Sequence, residues 1–288
     1  PMLETAIKSA VQSQNLLVST KPSPAKTFII AVPTPFKSTT KEPDVKYVQA
    51  AITSLSQSLA KGSLIIIEST CPVGTTDDVL LQLEQLRPDL KGPQSNLESP
   101  DYHLAYCPER VLPGKVMSEL KSNDRVIGGV SRRCSEKAMD VYRSFLEGHC
   151  VIASNPRTAE MTKLTENSFR DVNIAFANEL SLVCNDLGVD VWELIELANR
   201  HPRVEILQPG PGVGGHCIAV DPWFIVSKSP DKSNLIRTAR EVNDNKPKWV
   251  LQKLGASVLD YMNENPSSRM SDLKIAVYGI SFKPNIDD

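Results

Sequence analysis

Apolar positions along this chain follow two rhythms, and the change from one to the other divides it. From Thr27 the run TFIIAV is short, apolar and β-branched and ends at PTP, and a second run, SLIIIES, starts at Ser63. Both read as strands buried on two faces, the pattern of a parallel sheet. Between them Val45, Val48, Ile52, Leu55 and Leu59 recur at helical spacing, and Gly62 is the stop. Strand, helix and strand make a βαβ unit, so helices cover the sheet. Thr76 to Leu86 continues as a helix, HLAYC and RVIGG as strands, Ser135 to Leu146 as a helix and HCVIA as a last strand, with a loop over residues 88–101. Residues 1–24 read as a helix and its trailing segment, not as an opening strand.

The rhythm then lengthens. From Asn155 to Gly188, positions Met161, Leu164, Ser168, Val172, Ala175, Phe176, Leu180, Val183 and Leu187 keep a three-or-four spacing, which predicts one long helix with an apolar face. Glu160, Lys163, Asn167, Arg170 and Asp171 are expected on its other, polar side. Such length suits a spine or a dimer element. Shorter helices are expected at Val191 to Asn199 and, with a bend at Pro247, at Asn234 to Met262. The last segment, LKIAVYGISFKPNIDD, reads as a strand and glycine turn that open another α/β unit.

Composition narrows the function classes. Lys plus Arg number 32 against 34 Asp plus Glu, and neither sign forms a block. That argues against a nucleic-acid stripe or a basic membrane arm and for a small-molecule ligand. Six cysteines without a C-x-x-C pair predict neither a disulfide framework nor a metal site, and fit a reducing cytosol. No apolar run reaches the roughly 18 residues of a membrane-spanning helix.

The expected fold is therefore α/β. Residues 1–155 form an incomplete Rossmann-like doubly wound parallel sheet, residues 156–265 a helical domain around the long helix, and residues 266–288 the first strand of a second α/β domain. Incompleteness is inferred because no G-x-G-x-x-G, the turn that would follow the first strand and bind a dinucleotide pyrophosphate, is expected anywhere in the chain. A first βαβ segment is then missing, and the chain as it stands is expected to be weakly active or inactive.

The stretch PGPGVGGHCIAVDPWF, from Pro209 to Phe224, holds the most specific chemistry. Four glycines between Gly210 and Gly215 let backbone approach a ligand closely, and Cys217 follows them with His216 and Asp221 as polar neighbours. Free cysteines are usually buried small hydrophobes, and the other five are expected to be so. Cys217 is the candidate nucleophile. Lys163 and Asn167 lie one helical turn apart and can reach one point. Glu109 in CPERVLPGK and Thr70 in ESTCPVG stand at strand ends, where parallel sheets place ligands.

Seven ordered segments, IAVPTPFK, ESTCPVGTT, AYCPERVLPG, RTAEMTKLTENSFRDVNIAFANELS, LANRHPRV, GPGVGGHCIAVDPWFIV and FKPNID, together resemble the UDP-sugar dehydrogenase family, and within it the branch acting on UDP-N-acetyl-D-mannosamine for bacterial surface polysaccharides. The resemblance implies NAD-dependent oxidation of the sugar C6 alcohol to a carboxylate in two steps. Cys217 would trap the intermediate aldehyde as a thiohemiacetal, and water would hydrolyse the thioester formed next. It further implies that Lys163 stabilises the developing alkoxide with Asn167 beside it. Asp221 would position water, Glu109 act as base for hydrolysis, and Thr70 stand near the nicotinamide. Val32, Pro33, Thr34 and Pro35 would line the NAD cleft. Arg110, Val111, Leu112, Gly114, Gly210, Gly212, Gly214, Gly215, His216 and Lys283 would meet the UDP-sugar, and the long helix would build a homodimer. Relatives that oxidise UDP-glucose carry Lys where this chain has Val220, which with His216 favours an N-acetylated substrate. Two other readings stay open: a silent dimerisation and substrate-docking fragment, and a cysteine hydrolase using Cys217 with His216.

Overall fold

The computed structural model describes residues 2–278 except Ser38, Leu97, Glu98, Leu112, Pro113 and His216. It divides into two compact units, residues 1–164 and 165–288.

The first unit is built on a five-stranded sheet in the order β1 (Thr27–Ile30), β2 (Ser63–Ile67), β3 (Tyr102–Tyr106), β4 (Arg125–Gly129) and β5 (Cys150–Ile152). Its helices are α1 (Met2–Gln12), α2 (Lys46–Ser56), α3 (Thr75–Leu86), α4 (Val116–Ser122) and α5 (Arg132–Arg143). Every residue of β2 is buried. Ile65 and Ile67 join the core beneath Val48, Ile52, Leu55, Val79 and Leu83 of α2 and α3, whereas Leu64 and Ile66 join Ala138 and Tyr142 of α5. Side chains alternate between faces along a strand, so an unbroken apolar run feeds two cores at once.

β1, β2 and β3 run parallel, as do β4 and β5, but β3 pairs with β4 antiparallel. The all-parallel expectation is corrected at this one junction. The segment from Cys107 to Asp124, with α4 inside it, is long enough to return the chain in either direction, so its length could not decide the sense. β4 also takes two glycines where no side chain fits. A Cβ at Gly128 would stand 2.7 Å from the Ala159 Cβ and 2.8 Å from the Asn155 oxygen.

The long helix α6 (Pro156–Leu187) runs through the boundary between the units. Its faces match the expectation at Leu164, Ser168 and Ala175, which are buried, but not at Glu160, Asn167 and Asp171, expected on the polar side, or at Phe176, Val183 and Leu187, expected on the apolar one. Glu160, Asn167, Ser168, Asp171, Asn178 and Ser181 are buried, while Phe169 (70% exposed), Phe176 (51%), Val183 and Leu187 (71%) face solvent. Polar groups can lie inside when each is paired. In the first unit Glu160 caps α3: its carboxylate accepts from Gly74 N (2.6 Å), Thr76 N (2.8 Å) and the Thr76 hydroxyl (2.6 Å). Gly74, the residue before that helix, has φ +97°, a left-handed conformation that suits glycine.

In the second unit α6 is joined by α7 (Val191–Ala198), α8 (Asp221–Lys228) and α9 (Asn234–Glu264), followed by a 3-10 turn at Met270–Asp272. α9 continues through Pro247. The sequence pattern did not reveal α4 or α8. Residues 273–278 carry no strand, and the rest of the expected C-terminal strand and turn, Lys283 included, lies outside the described residues. α6 meets α9 through a polar seam. Arg240 Nη1 donates to Asp171 Oδ1 (2.6 Å), Asn243 Nδ2 to the same oxygen (2.8 Å), and Asn178 Nδ2 to Asn243 Oδ1 (2.8 Å). Arg240 also pairs with Asp244, and the Lys246 amine with the Ser181 hydroxyl.

Burial raises the Glu160 pKa above the ordinary value, against the pull of its Thr76 and Gly74 hydrogen bonds. A raised carboxyl pKa contributes stability that is complete below the unfolded pKa and lost as pH rises through the folded one. Glu160→Gln, which cannot titrate and leaves a buried donor unmatched, is expected to cost about 1–3 kcal/mol near pH 4.5. That difference from the unsubstituted protein should narrow toward pH 8, as measured by urea midpoints across the range; a difference that widens with pH would contradict the assignment.

Candidate functional site

Each unit holds one group of the residues that the sequence singled out. In the second unit Cys217 is exposed; Cys71, Cys107, Cys134 and Cys184 are buried and Cys150 half-buried, all unbridged. The Cys217 carbonyl accepts from Val220 N (3.1 Å) and Asp221 N (2.9 Å), which folds the chain directly into the first turn of α8. Asp221, 3% exposed, therefore stands one turn beyond the thiol. Its Oδ2 accepts from Asn167 Nδ2 at 2.6 Å, so a residue of α6 holds the start of α8.

The glycine loop is fixed from its other end. Asn178 Oδ1 accepts from Gly210 N (2.9 Å), while Asn173 gives its amide to the Glu205 oxygen and takes Leu207 N, both at 2.9 Å. A Cβ on Gly212 would lie 3.0 Å from Pro247 Cγ, so the loop passes close against α9. Gly215 has φ +82°. His216 lies outside the described residues. Gly210-x-Gly212-x-x-Gly215 does match the glycine spacing of a dinucleotide turn, but it follows an irregular segment instead of a strand, so it lacks the context that gives that spacing meaning.

In the first unit Glu109 lies just beyond β3. Its Oε1 accepts from Arg110 N (2.6 Å) and Val111 N (3.0 Å), and its Oε2 pairs with Arg125 Nη1 at 3.0 Å. The Val111 and Gly210 amides, both expected to meet the UDP-sugar, thus already have acceptors within the protein. Gly114 takes φ +88°, and Leu112 lies outside the described residues. At the carboxyl edge of the sheet, the Ser69 hydroxyl bonds both Val32 N and Val32 O at 2.8 Å and so fixes the start of the 32–35 loop. Thr70, half-buried, follows Ser69, and Lys163 on α6 is half-buried.

The sequence reading missed Ser69, Glu160, Asn173, Asn178, Asn243 and Arg125, all of which hold candidate site segments. Only Arg125, preceded by Asp124 at the start of a strand, carried any local signal, a charge entering a buried run.

Chemically, the second unit presents a reachable thiol beside a carboxylate and an amide, suited to nucleophilic attack on a carbonyl and to holding water. The first unit presents an oriented carboxylate. No helix among the described residues is long and apolar enough to cross a membrane.

The model for the NAD binding domain of the UDP-glucose/GDP-mannose dehydrogenase family matches residues 1–146, and that for its central domain matches residues 157–245. A UDP-N-acetyl-D-mannosamine dehydrogenase of Escherichia coli is 60% identical over all 288 residues, which span 68% of its length. An NDP-N-acetyl-D-galactosaminuronic acid dehydrogenase of Ralstonia nicotianae is 53% identical, again over the whole chain and 66% of its own length. Among solved structures, the native UDP-N-acetyl-mannosamine dehydrogenase of Staphylococcus aureus superposes with a TM-score of 0.84 at 42% identity, covering all of this chain and 64% of that one. With its two domains matched in order and whole-chain identity at this level, the chain belongs to the UDP-glucose/GDP-mannose dehydrogenase family.

Proposed function

We propose that this chain carries the catalytic residues of an NAD-dependent dehydrogenase that oxidises the C6 alcohol of UDP-N-acetyl-D-mannosamine to the uronate. One observation carries the reading: of the six cysteines only Cys217 is exposed, and the turn it forms is tied through Asp221 to Asn167. A thiol buried among aliphatic groups could not serve. The E. coli and S. aureus relatives bear the mannosamine name, and the R. nicotianae relative is named for another N-acetylated sugar. An N-acetylated nucleotide sugar is their common denominator.

In this reading Lys163 supplies positive charge where the C6 oxygen becomes an alkoxide, and the buried Asn167 amide steadies the same oxygen or the water that follows it. NAD, when bound, is the hydride acceptor for both oxidations. The residues fit the nicotinamide end of that cofactor: Val32 to Pro35 and Thr70 leave parallel neighbours β1 and β2 at one edge, and Ser69 locks the first of them. Cys217 attacks the aldehyde carbon to form a thiohemiacetal, and after the second oxidation it is the acyl carrier and then the leaving group. Glu109 takes a proton from the hydrolytic water, and Asp221 orients it. Gly212, Gly214, Gly215, His216, Arg110 and Lys283 serve the UDP-sugar. The solvent-facing Phe169, Phe176 and Leu187 stripe of α6 suits a homodimer, and the six unbridged cysteines suit a reducing cytosol.

In a form of the protein that also carries a dinucleotide-binding segment, Cys217→Ser is expected to leave binding of UDP-N-acetylmannosamine nearly unchanged, by calorimetry, and to abolish uronate formation. Removal of the thiol should lower NADH release with excess sugar by at least about 100-fold. Near-normal uronate yield in that variant would contradict covalent catalysis at this cysteine.

A further inference from the structure

The carboxylate assigned to hydrolysis is not free to turn. An ionised carboxylate offers about four acceptor positions. Arg110 N and Val111 N fill two on Oε1 of Glu109, and Arg125 Nη1 fills one on Oε2. One position remains, on Oε2. Whatever fixes the guanidinium therefore decides where the remaining lone pair of the base points.

Arg125 is fixed from all sides. It is the first residue of β4 and 4% exposed. Its backbone N donates to the His149 oxygen (2.8 Å), anchoring it in the ladder to β5. Nη1 also reaches the Pro108 oxygen at 3.4 Å, in the turn that carries Glu109. The guanidinium carbon stands 4.7 Å from the centre of the Tyr142 ring, a cation–π stack. A second carboxylate, Glu68 at the end of β2, lies 4.0 Å away, and Tyr142 donates its hydroxyl to that carboxylate at 2.5 Å. Glu68 thus holds both the cation and the ring beneath it. Burial weakens the Arg125 charge, but Glu109, Tyr142 and Glu68 outweigh it and leave the group firmly cationic, while burial pushes the Glu68 carboxyl up.

A bracket of two acids, one ring and one guanidinium inside a small α/β unit is costly to bury and contributes little net stability. Packing alone would favour apolar side chains here. What the bracket does provide is direction: the planar fork presents donors at fixed angles, which a lysine cannot reproduce.

We infer that Arg125, seated by Glu68 and Tyr142, is the positioning residue of the hydrolytic step, aiming the free lone pair of Glu109 Oε2 at the attacking water. The inference rests on the reading of Glu109 as base. In that step an O–H bond of water breaks, its proton passes to Glu109, and the water oxygen bonds to the thioester carbon. The C–S bond then breaks, its electron pair leaves on the Cys217 sulfur, and the proton on Glu109 is released to the thiolate or to solvent. Thioester and water give carboxylic acid and thiol with no change in oxidation state. Arg125 is assigned a part in the hydrolytic step alone, through Glu109, so its loss should spare both oxidations.

The test mixes the full chain with saturating NAD and UDP-N-acetylmannosamine, follows NADH in the first turnover and afterwards, and weighs the intact protein. Arg125→Met and Arg125→Lys should retain an initial release of two NADH per Cys217, then turn over more slowly by on the order of 10- to 100-fold. An acyl adduct on Cys217 should accumulate in both. Because methionine could disturb the core, Arg125→Lys, which keeps the charge, is decisive if Arg125→Met does not fold. Steady turnover within threefold of the unsubstituted chain, or first-turnover release lost in step with it in a folded Arg125→Lys, would overturn the inference. Failure of the unsubstituted protein to release NADH or form an adduct, both as this chain and in a folded form extended at both ends, would instead overturn the dehydrogenase reading, and the inference with it.

Discussion

The setting of the thiol depends on the buried pair Asp171–Arg240. It joins α6 to α9 with a 2.6 Å ion pair in which both side chains are at most 1% exposed. Such a pair adds little to net stability because two charges have been taken out of water, yet removing one partner costs about 3–5 kcal/mol. Its role is to set register. From Asp171 the seam passes to Asn243, from Asn243 to Asn178, and from Asn178 to Gly210 N, each link between 2.8 and 2.9 Å. One turn before Asp171 on the same buried face, Asn167 holds Asp221. The two ends of the glycine loop and its cysteine are thus pinned to one face of one helix.

That arrangement explains why α6 carries polar groups among the apolar ones on its buried face. Its inward face carries the Asn167 and Asn178 amides, the Asp171 carboxylate and the Ser181 hydroxyl, each with a specific bond to make, and its phenylalanines face outward. The same economy governs the first unit, where Glu160 reaches from α6 to cap α3 and Arg125 fixes Glu109. In both units buried polar groups orient what lies beside them, and the apolar cores beneath β2 supply the driving force for folding.

Much of this was legible in the residues and some was not. The βαβ core could be read because Leu64 to Ile67 form an unbroken apolar run and Val48, Ile52 and Leu55 keep helical spacing. The antiparallel entry of β4 could not, since a long connection sets no direction. Cys217 could be singled out because four glycines precede it and polar residues flank it. The Asn167–Asp221 bond that seats its turn spans 54 residues, and the Asp171–Arg240 pair spans 69. Periodicity finds that α6 has two faces, but not which one meets the protein, because pairing between distant polar residues leaves no local trace. The segment with α8 was hidden for a simpler reason: Asp221 and Pro222 begin a short helix immediately after an irregular loop.

Hydrogen exchange at individual amides in Asp171→Asn tests the register claim most directly. Loosening the pair should cost Gly210 N and Asp221 N about tenfold or more of their protection together, while Ile65 to Ile67 in β2 keep theirs. If those two amides exchange as slowly as in the unsubstituted chain, the seam does not hold the loop, and the thiol owes its place to something else.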